Sequence, residues 1–163
     1  MLSCIELTEK KVFLLKSLDE VIFEVEESVA VQLEVIRELI EGDCGRPFIP
    51  LYNVTSEILA LVIEYCKHHA ETCSGGTSAT IADEDLKTFD NEFMNVDENI
   101  LLELCSAADY LDIKSLFELT CRTLASLIKD RTIIEVRKMF NVENDFSVVE
   151  EKAVRKEFAW AFK

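Results

Sequence analysis

Residues 97–114 read DENILLELCSAADYLDIK. Asp97 is a helix-capping residue type, and after it Ile100, Leu101, Leu104, Cys105, Ala108 and Leu111 recur at the spacing of one broad helical face. Asp112 breaks that pattern, and a second helix follows at once from Lys114 to Lys129. Two further starts come behind it. Thr132-x-x-Glu135 and Ser147-x-x-Glu150 each pair a hydroxyl cap with a glutamate that returns to the cap's own N–H. They predict helices Ile133 to Phe140 and Val148 to Phe162, the last carrying Val154, Phe158, Ala161 and Phe162 beside Trp160. The last third of the chain is therefore a series of short, separately capped, apolar helices with no His and no Gly. An enzyme hides its apolar residues and shows a polar constellation. A docking subunit keeps an apolar seam for its partner.

Working backwards, Lys11 to Lys16 (KVFLLK) and Val21 to Val25 (VIFEV) are rich in β-branched and aromatic residues and flank a turn at Ser17–Glu20, which predicts a β-hairpin. Ser28 to Glu41 carries Val29, Leu33, Ile36 and Ile40 at helical spacing, and Gly42 stops it. Phe48 to Leu51 reads as a short strand at a sheet edge, because Pro50 has no N–H to donate. Thr55 caps a helix whose inward stripe is Ile58, Leu59, Val62, Ile63 and Cys66. Glu71 to Ala82 is small and polar and predicts a flexible surface loop. Helix resumes at Asp83, with Leu86, Phe89 and Phe93 on one side.

Composition narrows the function classes. In 163 residues, 49% hydrophobic content with only 4 Gly and 2 Pro describes a folded chain. The net charge of −15 disfavours nucleic acid as a partner. That charge is uneven: residues 1–113 hold 24 acidic and 7 basic side chains, whereas residues 114–163 hold 8 and 10. A partner of the front part is expected to be basic, and a partner of the tail mainly apolar. No apolar run is long enough to cross a bilayer and no leader is evident, so no membrane association is expected. The six cysteines form no C-x-x-C pair, and Cys105 and Cys121 read as small buried thiols in a reduced compartment.

Candidate chemistry is thin. Cys66-x-His68-His69-x-x-x-Cys73 has a zinc-like composition, but a helix cannot aim all four groups at one point, and Cys66 falls on the inward stripe. The two histidines are expected exposed at a helix end. Asp83-Glu84-Asp85 is a helix N-terminal cluster, with no base, nucleophile or oxyanion donor beside it. Gly75-Gly76 lacks the strand and the Lys-Ser/Thr of a phosphate loop. No catalytic residue, metal or cofactor is expected. Trp160 is either a core residue folding the tail back or an interface anchor, and Tyr110 divides the same way.

Seven collinear segments carry a resemblance. They are Asn53-Val54-Thr55, Val62-Ile63-Glu64-Tyr65-Cys66-Lys67, Phe93-Met94 with Val96-Asp97, Ala107 to Lys114 (AADYLDIK), Leu119-Thr120-Cys121, Phe140-Asn141-Val142 with Asn144-Asp145-Phe146, and Val154-Arg155-Lys156-Glu157 with Trp160. The chain resembles the Skp-type adaptor subunits of SCF ubiquitin ligases, which link a cullin scaffold to F-box proteins, and looks closest to plant members. The resemblance implies an α/β fold: a BTB/POZ-like domain over residues 1–113, a small sheet with helices and a flexible loop at about 70–82, followed by a helical F-box-binding extension over residues 114–163. It implies that Asp109 and Tyr110 face a cullin. It implies that Leu116, Leu124, Leu127, Ile128, Val136, Phe140, Val142, Phe146 and Trp160 face an F-box protein. A weak homodimer of the free protein through its front unit, and a place in cytoplasm and nucleus, are further expectations. Four features depart from the family pattern: Asp109 replaces Asn, Ile133 replaces Pro after the capping Thr, Phe158-Ala159 replace Asn-Gln, and the first hairpin lacks its turn Gly. The other reading, from a different class, is a self-associating BTB-type scaffold with no ligase role.

Overall fold

The computed structural model describes residues 11–33, 35–37, 48–74 and 79–162. Strand β1 (Val12–Lys16) pairs antiparallel with β2 (Ile22–Glu26), with Leu15 opposite Phe23 and Phe13 opposite Val25. Strand β3 (Ile49–Pro50) adds to the other side of β1 in parallel, with Leu15 opposite Ile49. The sheet order is β2-β1-β3, so the proline does lie on a strand with one unpaired side among the described residues. Leu15 and Val25 point to the same face and are fully buried, as the two-residue strand period requires.

The hairpin turn does without glycine. Glu20 takes the left-handed conformation, φ 67°, where the Cβ is unfavourable. Ser17 offsets this: its Oγ accepts from the Val21 N–H and donates to the Val21 carbonyl, both at 3.1 Å. Asp19, in the same turn, reaches across the fold. The Asp19 carboxylate accepts the Ser56 N–H at 2.7 Å and also the Ser56 hydroxyl, which caps helix α2 (Ser56–Ser74) from a distant point in sequence. Those bonds from Ser56, with a further one from Ser17, hold the Asp19 carboxyl well below the usual carboxylate range, at about 2. A depressed pKa in the folded state adds stability that is complete above the unfolded value of 3.8 and is lost as pH falls through about 2. We expect the stability gap between the parent and Asp19→Asn, read from urea midpoints, to shrink as pH is stepped from about 5 to about 2. A gap that stays constant over that range shows that the carboxylate is not the cap.

The helix expected over 28–41 is interrupted. Helix α1 spans Glu27–Ala30, a turn follows, and residues 35–37 are helical again; Ile40 and Gly42 lie outside the described residues. In the turn, Gln32 and Leu33 donate to Val29 and Ala30, three residues back instead of four. The Gln32 side chain meanwhile donates to the Cys66 carbonyl at 3.0 Å. The break thus trades local helix for a tie to α2, while Val29, Leu33 and Ile36 all remain buried.

Helix α2 buries its expected stripe of Ile58, Leu59, Val62, Ile63 and Cys66, with Tyr65 beside it. It packs on α1 and on α4 (Glu98–Tyr110). The loop expected at about 70–82 is replaced in large part by helix. Helix α2 runs on to Ser74, and α3 spans Ala79–Phe93, so only residues 75–78 between them are outside the description. An interhelical clasp accounts for the extension. The His68 ring lies flat on Phe89 at 3.8 Å between centroids, His69 Nε2 meets Asp90 Oδ1 at 3.0 Å, and Tyr65 touches both His69 and Phe93. His68 and His69 are therefore half-buried between two helices, not exposed at a helix end. Cys66 is fully buried, and burial pushes its thiol up to about 12, leaving it protonated and inert.

Helix α5 (Lys114–Ile128) follows α4, then α6 (Ile133–Met139), α7 (Val148–Glu157) and a 3₁₀ turn at Ala159–Phe162. The last helix stops at Glu157, earlier than expected. The chain divides into two compact units, 1–126 and 127–163. That division falls near the end of α5, because Leu116, Thr120 and Leu124 form a buried face of that helix. Thr120 sits there at no polar cost, since its hydroxyl donates to the Leu116 and Phe117 carbonyls.

Candidate partner-binding faces

The first face is the corner between α4 and α5. Asp97 caps α4 by accepting from the Asn99 N–H, and the helix ends at Tyr110. The Asp112 N–H then donates to the Asp109 carbonyl at 3.1 Å and the Ile113 N–H to the Ala108 carbonyl at 2.9 Å. Those two bonds, with Asp112 left-handed at φ 50°, make a Schellman ending. Ile113 and Ala108 are buried together beneath it. Aspartate tolerates this conformation better than most residues, which is why the chain turns here without glycine. The outcome is a hydrogen-bonded corner on which Asp109 is exposed. Tyr110 beside it is half-buried, less open than its acidic neighbours suggested.

The second face belongs to residues 127–163. Both predicted capping boxes are present. The Thr132 N–H donates to Glu135 Oε2 at 2.8 Å and the Glu135 N–H returns to Thr132 Oγ1; Ser147 and Glu150 repeat the arrangement. Hydrogen bonds from Thr132 and from Ser147 hold the two glutamates below the usual carboxylate range. Helices α6 and α7 bury no residue fully. Phe140, Val142 and Phe146 are exposed, Trp160 is 75% exposed, and Leu127, Ile128 and Val136 are half-buried.

Two of the expected F-box contacts fall elsewhere. Leu116 is 0% exposed and Leu124 is buried as well, because both lie on the inward stripe of α5. Both are buried in the free chain, within the first unit. Conversely, Ile134, Val148 and Val149 are largely exposed and were passed over in the sequence. The signal for them was present: each pair, Ile133-Ile134 and Val148-Val149, follows directly on a capping hydroxyl, where the first turn of a short helix has little to pack on.

Among the described residues, no group of three or more His, Cys, Asp and Glu side chains is placed to hold a metal ion, and no helix is long and apolar enough to cross a membrane. A structured acidic corner and a solvent-exposed apolar seam on preformed helices define a protein–protein adaptor. Comparison with known proteins gives the family. Residues 11–71 match the Skp1 family tetramerisation domain, and residues 114–161 match the Skp1 family dimerisation domain. The chain is 48% identical over 156 residues to SKP1-like protein 1A of Arabidopsis thaliana, covering 93% of this chain and 98% of that one. SKP1-like protein 11 of the same plant is 49% identical over 153 residues, covering 93% and 97%. SKP1-like protein 20 of Oryza sativa subsp. japonica is 43% identical over 171 residues, covering 96% and 98%. The chain belongs to the Skp1 family, as a plant-like member. Its role is that of an adaptor of SCF ubiquitin ligases, and the self-associating scaffold is not favoured.

Proposed function

We propose that this adaptor works without catalysis, by bivalent tethering. An F-box protein covers the apolar seam of residues 127–160, and a cullin docks on the corner at Asp109 and Tyr110. Substrate held by the F-box protein is thereby kept near the ubiquitin-transfer machinery at high effective concentration. The observation that carries this reading is the exposure of large apolar residues on two helices that bury none of their own. A surface of that kind is unfavourable in water until a partner covers it. The seam is expected to bury roughly 1,600 Å² or more in the complex. The acidic balance of the front part suits a basic cullin face, and the near-neutral tail suits an apolar one. The proposed setting is cytoplasm and nucleus.

The test is reconstitution. Purified chain is mixed with an F-box peptide and a cullin N-terminal fragment, singly and together, and the complexes are sized by light scattering. An adaptor yields both binary complexes and a ternary one. A scaffold yields higher oligomers of the chain alone and ignores both partners.

Asp109 gives a finer prediction. An exposed charge at an interface rim acts mainly on association rate and its salt dependence. We expect Asp109→Asn to slow cullin association about 2–5-fold at low salt and to flatten the salt dependence. Identical association rates at low salt mean that this charge plays no part in docking.

A further inference from the structure

Two thiols meet behind the acidic corner. Cys105 lies on α4 one turn before Asp109, Cys121 lies on α5, and their Sγ atoms are 3.8 Å apart. Both are half-buried free thiols. They are thus not the sealed core residues their apolar neighbours suggested. A disulfide bond is about 2.05 Å long, so each sulfur needs to move only about 0.9 Å to form one. The Schellman bonds at Asp112 and Ile113 hold α4 and α5 in the register that keeps the pair together.

We propose that Cys105 and Cys121 are a reversible dithiol–disulfide site, oxidised by a small-molecule disulfide of the glutathione class, and that the bond staples α4 to α5 directly behind Asp109. One protein thiolate attacks a sulfur of glutathione disulfide. The S–S bond breaks, and one glutathione leaves as a thiolate and takes up a proton. The second protein thiol, its proton lost to solvent, attacks the protein-side sulfur of the mixed disulfide and releases the second glutathione. Two protein thiols are oxidised by two electrons in all, and one glutathione disulfide is reduced to two thiols. Burial, the Cys105 thiol and the Asp109 charge together push the Cys121 thiol up. The site therefore reacts slowly near neutral pH and answers sustained oxidation. Cys66, buried away from solvent, does not compete.

The experiment uses the full chain carrying Cys4→Ser, Cys44→Ser and Cys73→Ser, equilibrated with a glutathione/glutathione disulfide buffer and read by intact mass and non-reducing peptide mapping. The expected product has lost two hydrogens, contains a linked Cys105–Cys121 peptide, melts about 5–10 °C higher and reverts with added thiol. Adding Cys121→Ser is expected to halt the reaction at one stable glutathione adduct. Adding Asp109→Asn is expected to speed ring closure several-fold. The proposal is overturned by a parent chain that stops at mixed adducts or stays reduced. It is equally overturned by a linked product that melts no higher than the reduced chain.

Discussion

Trp160→Ala is expected to leave the thermal transition of the chain in place and to weaken F-box binding roughly 30-fold or more. The two halves of that result have separate causes. Trp160 is 75% exposed, so truncating it removes little from the folded free protein, within about 0.5 kcal/mol for a surface site. A tryptophan that becomes central to an interface costs about 2 kcal/mol or more when truncated, and that energy is a factor of about 30 in affinity. Calorimetric melting and titration with an F-box peptide read the two halves independently. Had the tryptophan folded the tail back as a core residue, melting would fall and the binding loss would follow from unfolding. A large drop in melting temperature therefore removes Trp160 from the seam.

Leu116→Ala is expected to do the reverse. Leu116 is fully enclosed in the first unit, and truncating such a leucine costs about 2.7–5 kcal/mol through lost transfer energy and the cavity left behind. For a chain of this size that lowers melting by roughly 5–20 °C. Well below the transition, affinity for the F-box peptide is expected to match the parent. If stability holds and affinity falls instead, the side chain belongs to the seam and its assignment to the core is wrong. Two substitutions on apolar residues of one chain thus separate packing from recognition, which composition cannot do.

What could be read in the sequence was what is decided locally. Both capping boxes, the Asp97 cap and the end of α4 before Asp112 rest on residues within five positions of one another, and all are present. The hairpin and the inward stripe of α2 follow from period alone. The misread features each depend on a partner remote in sequence. The turn after α1 is tied by Gln32 to the Cys66 carbonyl, 34 residues away. His68 and His69 are drawn inward by Phe89 and Asp90. Helix α5 carries apolar residues on several sides, with Phe117 exposed next to a buried Leu116, and only the packed first unit determines which side is core. For the same reason the resemblance groups Leu116 and Leu124 with Leu127 and Ile128, whereas in the free chain Leu116 and Leu124 are buried and Leu127 and Ile128 are half-exposed.

The reciprocal caps on α6 and α7 have a consequence for how much of this protein exists in intact form. The two helices are 7 and 10 residues long and bury nothing fully. Helices below about 12–15 residues are marginal in water on their own. Their backbone amides therefore open at little cost, and proteases reach them readily. A partner that binds only the formed seam shifts that balance by mass action, about 2.7 kcal/mol at a hundred times its dissociation constant. On the proposed function, an F-box peptide is therefore expected to slow proteolysis of the tail, which limited digestion with and without the peptide reads directly.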